Sequence, residues 1–254
     1  MTLPLAESNV TDVPSTIHVT SERDRVSTGY RPLDEALHGG YPAGYAILLS
    51  SQDGDERDLL LRCFLGVGAG RGLTICLTKT FERVADLASA HRDSFYVVVC
   101  NGSERVPEMR NVLQVAGCDD LCSMNIAVSK VLRRARDGQP RKFVVDLISD
   151  VLLSRGVVTT RNWLWDLIVR MKARGFTLLG AFNPAMHPSE DSQALFEFFD
   201  GHISVEEGVE GGRLACVRKM YACAYDDSRV ALDRDVLMSP LGGVRADSYP
   251  PHLP

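Results

Sequence analysis

The sequence predicts an α/β domain, with a mostly parallel central sheet, helices on both faces and a small antiparallel meander at the C-terminal end. Three observations predict it. Five apolar runs (Tyr45–Ser50, Leu73–Thr78, Phe95–Cys100, Phe143–Leu147 and Phe176–Phe182) are short and almost continuously hydrophobic, as strands covered on both faces must be. Between them lie segments such as Asp58–Gly66 and Asn162–Arg174, whose apolar residues recur at helical spacing; Gly175 follows the second where a helix C-cap glycine belongs. After residue 200 the pattern changes to three short strand-like runs, Gly201–Glu207, Gly212–Met220 and Ser228–Asp233, parted by Gly-Gly and Asp-Asp turns.

Composition bounds the rest. With 254 residues, 45% apolar and 24% charged, the chain can bury one large core. The formal net charge of −5 excludes a protein that coats nucleic acid with its whole surface, though not a local basic patch. Seven cysteines, an odd number with no C-x-x-C pair, read as free thiols in a reducing compartment. Cys118 and Cys122 could share a helix face, but no histidine cluster completes a zinc site, so no metal is expected there. No apolar stretch approaches the roughly 20 residues of a membrane helix, and Met1–Asp24 lacks the pattern of a signal peptide. A cytoplasmic protein without a membrane partner is expected. Residues 1–24 read as a polar, flexible arm, 25–236 as the domain and 237–254 as a proline-rich tail.

Three motifs carry a family resemblance. The run Ser27-Thr28-Gly29-Tyr30-Arg31-Pro32-Leu33-Asp34-Glu35-Ala36-Leu37-His38-Gly39-Gly40-Tyr41-Pro42-Ala43-Gly44 resembles the opening segment of KaiC-like and RecA-like ATPases, S-T-G-x-x-x-L-D-x-x-L-x-G-G-x-P-x-G. Its glycines permit sharp turns, and Leu33 and Leu37 anchor a short helix. Phe143-Val144-Val145-Asp146, followed by Leu147-Ile148-Ser149, resembles that family's Walker B strand, and Gly212–Met220 resembles its late R-x-L-x-V-x-K-M-R strand. The resemblance implies a RecA-like three-layer sandwich. It also implies Asp146 as the residue that holds the water shell of Mg²⁺ beside ATP, and Lys219 as a contact to a nucleotide on a neighbouring subunit. Tyr221 stands where the family has an Arg after that Lys.

The phosphate loop is where the chain departs from the family. Against G-x-x-x-x-G-K-[ST] it reads Ser51-Gln52-Asp53-Gly54-Asp55-Glu56-Arg57-Asp58. Both outer glycines are replaced, Arg57 stands for the Lys, and Asp58 stands for the Mg²⁺-binding hydroxyl. Four carboxylates lie where a triphosphate would sit, and each one facing a phosphate at about 4 Å costs roughly 4 kcal/mol at an effective dielectric near 20. The acids have a ligand-free use, since first-turn carboxylates cap free N–H groups and complement the helix dipole. A second station is changed too: where the family strand ends in two acids, one of which polarises the attacking water, this chain has Thr78 and Lys79, keeping only Glu82. Neither replacement serves as a general base at neutral pH.

These changes lead to an expected function: a catalytically inactive, pseudo-ATPase domain without a cofactor. It would act as a regulatory or scaffolding protein through protein–protein contacts, with itself or with an active paralogue. One alternative keeps ATP and Mg²⁺, bound unconventionally by Ser51, Gly54, Glu56, Arg57, Asp58, Asp146 and Lys219. A second is a DNA-binding recombinase relative using Lys130, Arg133, Arg134, Arg136, Arg141 and Lys142; the same run also reads as a solvated helix face with Val131, Leu132 and Ala135 inward. Trp163 and Trp165 cannot share a helix face, so one is core and the other outside. His187 has no partner in sequence that would give it a catalytic role.

Overall fold

A computed structural model describes residues 25–52, 55–135, 138–208, 211–226 and 229–238. The chain begins with a short antiparallel pair, β1 (Arg25–Val26) and β2 (Tyr41–Pro42), that brackets α1 (Arg31–Ala36). Then come β3 (Ala46–Ser51), α2 (Asp55–Gly66), β4 (Leu73–Thr78), α3 (Ala85–Ala90), β5 (Phe95–Cys100), β6 (Val112–Val115) and α4 (Leu121–Arg134). The remainder is β7 (Arg141–Asp146), α5 (Ile148–Lys172), β8 (Phe176–Phe182), α6 (Ser189–Phe196), β9 (Gly201–Glu207), β10 (Arg213–Met220), β11 (Arg229–Leu232) and α7 (Arg234–Met238).

The nine-stranded sheet runs β11-β10-β9-β3-β8-β7-β4-β5-β6. From β9 to β6 every neighbouring pair is parallel, and only β9-β10 and β10-β11 are antiparallel. The strand alternation of period two divides the core into two layers. Ile47 and Leu49 of β3 face α1, α2, α3 and α7, while Ala46 and Leu48 face α4, α5 and α6. This is the expected three-layer, RecA-like architecture.

Most expected elements appear where the sequence puts them. Gly175 takes φ +73° and donates to the Lys172 carbonyl at 2.9 Å, Leu33 and Leu37 are fully buried, and Trp163 is core while Trp165 is 51% exposed. The structure also corrects several readings. Gly201–Glu207 belongs to the parallel sheet through β3, so the antiparallel part begins one strand later than expected. β6 was not foreseen. The helix after β3 starts at Asp55 rather than Asp58, which draws half of the expected loop into a first helical turn. Leu237 and Met238 belong to α7, and Leu237 is buried in the core, so the domain continues past residue 236. The arm 1–24 and residues 239–254 lie outside the described residues.

Candidate functional site

The C-terminal ends of β3, β4, β7 and β8 meet at one edge of the sheet, the usual place for a ligand in an open α/β fold. β3 delivers Ser51 and Gln52 there, and α2 turns away at once. Gly54, a candidate ligand residue, and Asp53 lie outside the described residues. Asp55, Glu56 and Asp58 fill the first turn of α2, where negative charge complements the helix dipole.

These acids do more than complement a dipole, because each meets a guanidinium. Asp58 pairs with Arg57 at 2.9 Å and with Arg83 at 2.8 Å, and Arg83 also lies 3.6 Å from Asp146. Glu56 is flanked by Arg213 at 3.9 Å and Arg234 at 4.0 Å, while Asp55 meets Arg234 at 3.2 Å. Lys79, in the second altered station, pairs with Asp150 of α5 at 2.5 Å. Five carboxylates (Asp55, Glu56, Asp58, Asp146, Asp150) thus face five cations (Arg57, Lys79, Arg83, Arg213, Arg234). Arg83, in the 3-10 turn Glu82–Val84 after β4, bridges the two central acids, a role that no motif in the sequence marks.

Asp146 ends β7 beside its register partner Thr78 of β4, whose hydroxyl donates to Asp146 Oδ2 at 3.3 Å. Burial, followed by the nearby Asp58 carboxylate, raises its pKa to about 6, against the opposing pull of Arg57, Arg83 and Thr78. Beneath the Arg83 bridge is a cavity of about 30 Å³ lined by Asp58, Leu61, Cys76, Thr78, Arg83 and Asp146. That is room for a water molecule or two, whereas small-molecule sites usually span about 300–1,000 Å³. A larger open depression near 440 Å³, around Val106, Met109 and Gln114, lies beside the edge strand β6. Four strands separate it from the loop.

Two polar links sequence reasoning missed brace this end of the sheet. Asn183, after β8, donates from Nδ2 to the Gln52 carbonyl at 3.0 Å, and its backbone N–H donates to Ser149 Oγ at 2.9 Å. It therefore ties the residues before α2 to the start of α5. Ser50 Oγ lies 2.7 Å from His202 Nε2 on β9. Burial, then Arg218 and Lys219, pushes the His202 pKa down to about 4, so the imidazole is neutral at physiological pH. His187 stacks on Phe182 with ring centroids 5.1 Å apart, a packing role.

Lys219 lies on β10 and donates to the Phe199 carbonyl at 2.8 Å. Lys142 is not on a basic surface: it is 1% exposed. Its ammonium donates to the carbonyls of Phe64 (2.6 Å), Leu65 (3.1 Å) and Val67 (2.6 Å) at the C-terminal end of α2. Burial lowers its pKa to about 7. Residues 142, 144 and 146 share one face of β7 by strand alternation, so β7 offers a cation to the negative end of α2 and a carboxylate near its positive end, both complementary to the dipole. Of the remaining basic run, Lys130, Arg133 and Arg134 are exposed on α4 and Arg141 donates to the Arg174 carbonyl at 2.7 Å, while Arg136 lies outside the described residues.

Among the described residues no helix is long and apolar enough to cross a membrane. No protein-family model and no curated protein sequence matches the chain. The fold is nonetheless shared: the crystal structure of a KaiC-like protein from the hyperthermophilic archaeon Pyrococcus horikoshii OT3 superposes with a TM-score of 0.63 at 18% identity, over 82% of this chain and 94% of the other.

Proposed function

We propose that this KaiC-like, RecA-type domain is a pseudo-ATPase. It does not hydrolyse ATP and works by binding protein partners, either further copies of itself or an active protein of the same fold. The observation that carries the reading is the closure of the nucleotide end by Arg83, held between Asp58 and Asp146 at 2.8 and 3.6 Å. In that position a guanidinium does the neutralising that a magnesium ion would otherwise do. Against magnesium and a triphosphate the residues are a poor match. The five acids already face five cations, the Mg²⁺-binding hydroxyl is Asp58, and the cavity beneath the bridge is about 30 Å³. A triphosphate would have to break these pairs and meet the carboxylates they leave behind. The placement of Thr78 and Lys79 supports loss of hydrolysis independently: the first donates to Asp146 and the second is tied to Asp150, so neither of these two replacements serves as a base toward water.

The test is thermal unfolding with and without millimolar Mg-ATP, combined with a phosphate-release assay. A ligand at 100 times its Kd adds about 2.7 kcal/mol of stability. The proposal expects no shift and no phosphate above background. A clear upward shift abolished in Asp146→Ala would instead establish an unconventional nucleotide site and overturn it.

A further inference from the structure

We propose that the adjoining outer surfaces of α4 and α5 form a docking face for an acidic, amphipathic helical segment of a partner protein. The inference rests on the reading of this chain as a protein-binding domain and specifies the chemistry of the partner.

On α5, beyond its break at Gly156 (φ +71°), the outward stripe carries Val158, Trp165 and Val169; Trp165 is 51% and Val169 47% exposed. Their spacing of seven and four residues places them on one helix face. On α4, Ile126 is 48% exposed and is followed along the same stripe by Lys130 and Arg133, with Arg134 beside them. Arg170 Nη2 donates to Asn125 Oδ1 at 3.1 Å, which links the two helices at the neighbours of Val169 and Ile126.

Trp165 is also held in place. It lies against the half-buried Phe198, with ring centroids 5.6 Å apart, and Arg161 covers the same Phe198 ring at 5.2 Å. A tryptophan that stays outside the core yet packs on an aromatic ring is the kind of residue that anchors interfaces.

The charge pattern selects the occupant. In a chain of net charge −5, Leu121–Arg134 contains Lys130, Arg133 and Arg134 and no acid. Past Gly156, α5 contains a single acid, Asp166, against Arg161, Arg170 and Lys172. Glu197 lies beside Phe198, and Lys172 is already paired with Asp200 at 2.7 Å. The face therefore has an apolar centre and a predominantly basic rim, complementary to a helix with apolar residues at i, i+4 and i+7 and acids between them. Nucleic acid fits less well, because backbone binding grows with the number of phosphates neutralised and this centre would set four apolar side chains against them. An anionic bilayer would reach beyond the face to the rest of a net-negative surface.

The probe is a synthetic peptide of about four helical turns with leucines at i, i+4 and i+7 and Glu or Asp between them, beside a counterpart whose acids are all Lys. The intact chain is titrated with each and followed by labelled-peptide anisotropy and by tryptophan emission, for which Trp165 is the outer of the two tryptophans. The acidic peptide is expected to bind, to blue-shift the emission and to weaken as salt rises, with the Lys counterpart at least about tenfold weaker. Trp165→Ala, and separately Arg133→Glu with Arg134→Glu, should each weaken the acidic peptide about tenfold or more. Their melting temperature should stay near the parent's, because all three residues are exposed. Equal binding of the two peptides overturns the proposal. So does tighter binding of an oligothymidine or of phosphatidylserine vesicles, or a self-association abolished by Trp165→Glu, which would assign the face to a second copy. Stabilisation by Mg-ATP would defeat the pseudo-ATPase reading and leave this result standing, so the two failures are distinguishable.

Discussion

The opening segment Ser27–Gly44 follows the KaiC-like pattern in sequence and the acidic stretch Ser51–Asp58 departs from it, and the structure holds them by different means. The opening segment is fixed by buried and half-buried hydrogen bonds and by glycines pressed against main chain. Asp34 accepts from Ser27 Oγ at 2.5 Å and from the Thr28 N–H at 2.7 Å, and Tyr30 OH donates to the Ala231 carbonyl at 2.7 Å. Gly29 sits at φ +82° where an added Cβ would come 2.2 Å from the Cys63 carbonyl of α2, and Gly40 at φ +111° where one would come 2.4 Å from the Val26 carbonyl. The acidic stretch is held by side-chain ion pairs, several of them well exposed. The part that follows the pattern is what the chain needs to pack against α2. The part that departs from it is where, in the pseudo-ATPase reading proposed above, a nucleotide would have to sit.

The comparison can be broken from either side. The largest effect is expected at Gly29→Ala, which combines a left-handed backbone with a clash against main chain that cannot move aside; a loss of about 3 kcal/mol or more should appear in urea unfolding. Next is Asp146→Asn. Because folding raises this pKa to about 6, the contribution of Asp146 is fully present below about pH 4 and lost as pH rises through 6. The charged carboxylate therefore costs the fold about 1–3 kcal/mol at pH 7.5. Asp146→Asn should be more stable than the parent there, with the advantage shrinking as pH falls toward 4. A destabilised Asp146→Asn at pH 7.5 would mean that the arginines outweigh burial.

Smaller effects should follow along the ion pairs. Arg83→Leu leaves Asp58 and Asp146 facing each other without their bridge. Since Arg83 is half exposed, the loss should be only about 1 kcal/mol, and a double-mutant cycle should show most of it removed by Asp146→Asn. Arg234→Ala, which removes the solvent-exposed partner of Asp55, should cost less than about 0.5 kcal/mol. If it cost as much as Gly29→Ala, the contrast between close glycine packing and exposed ion pairs would fail.

Much of the fold was legible because its signals are local. Phe95–Cys100 and Phe176–Phe182 are nearly pure apolar strands, and the opening segment carries its turns as glycines. β6 was not legible: Val112-Leu113-Gln114-Val115 is four residues with a polar one inside, at the sheet edge, and its length and alternation resemble a loop. At the site, the acids and the altered stations could be read in order along the chain. Their partners could not, because Arg83, Arg213 and Arg234 are brought in from 25 or more residues beyond Asp58. Lys142 stands in a run of basic residues in the sequence but is buried in the fold. Its alternation with the core residue Val144 was the signal that it points inward, since period two puts both on the face of α2.

The central claim is that the chain's own arginines neutralise this end of the fold in place of a magnesium nucleotide. The most direct measurement is the melting temperature of the intact chain across a titration of Mg-ATP, in parallel with Arg83→Leu. The account predicts no shift for the parent at any concentration up to several millimolar. A saturable upward shift for the parent, lost on Asp146→Ala, would contradict it.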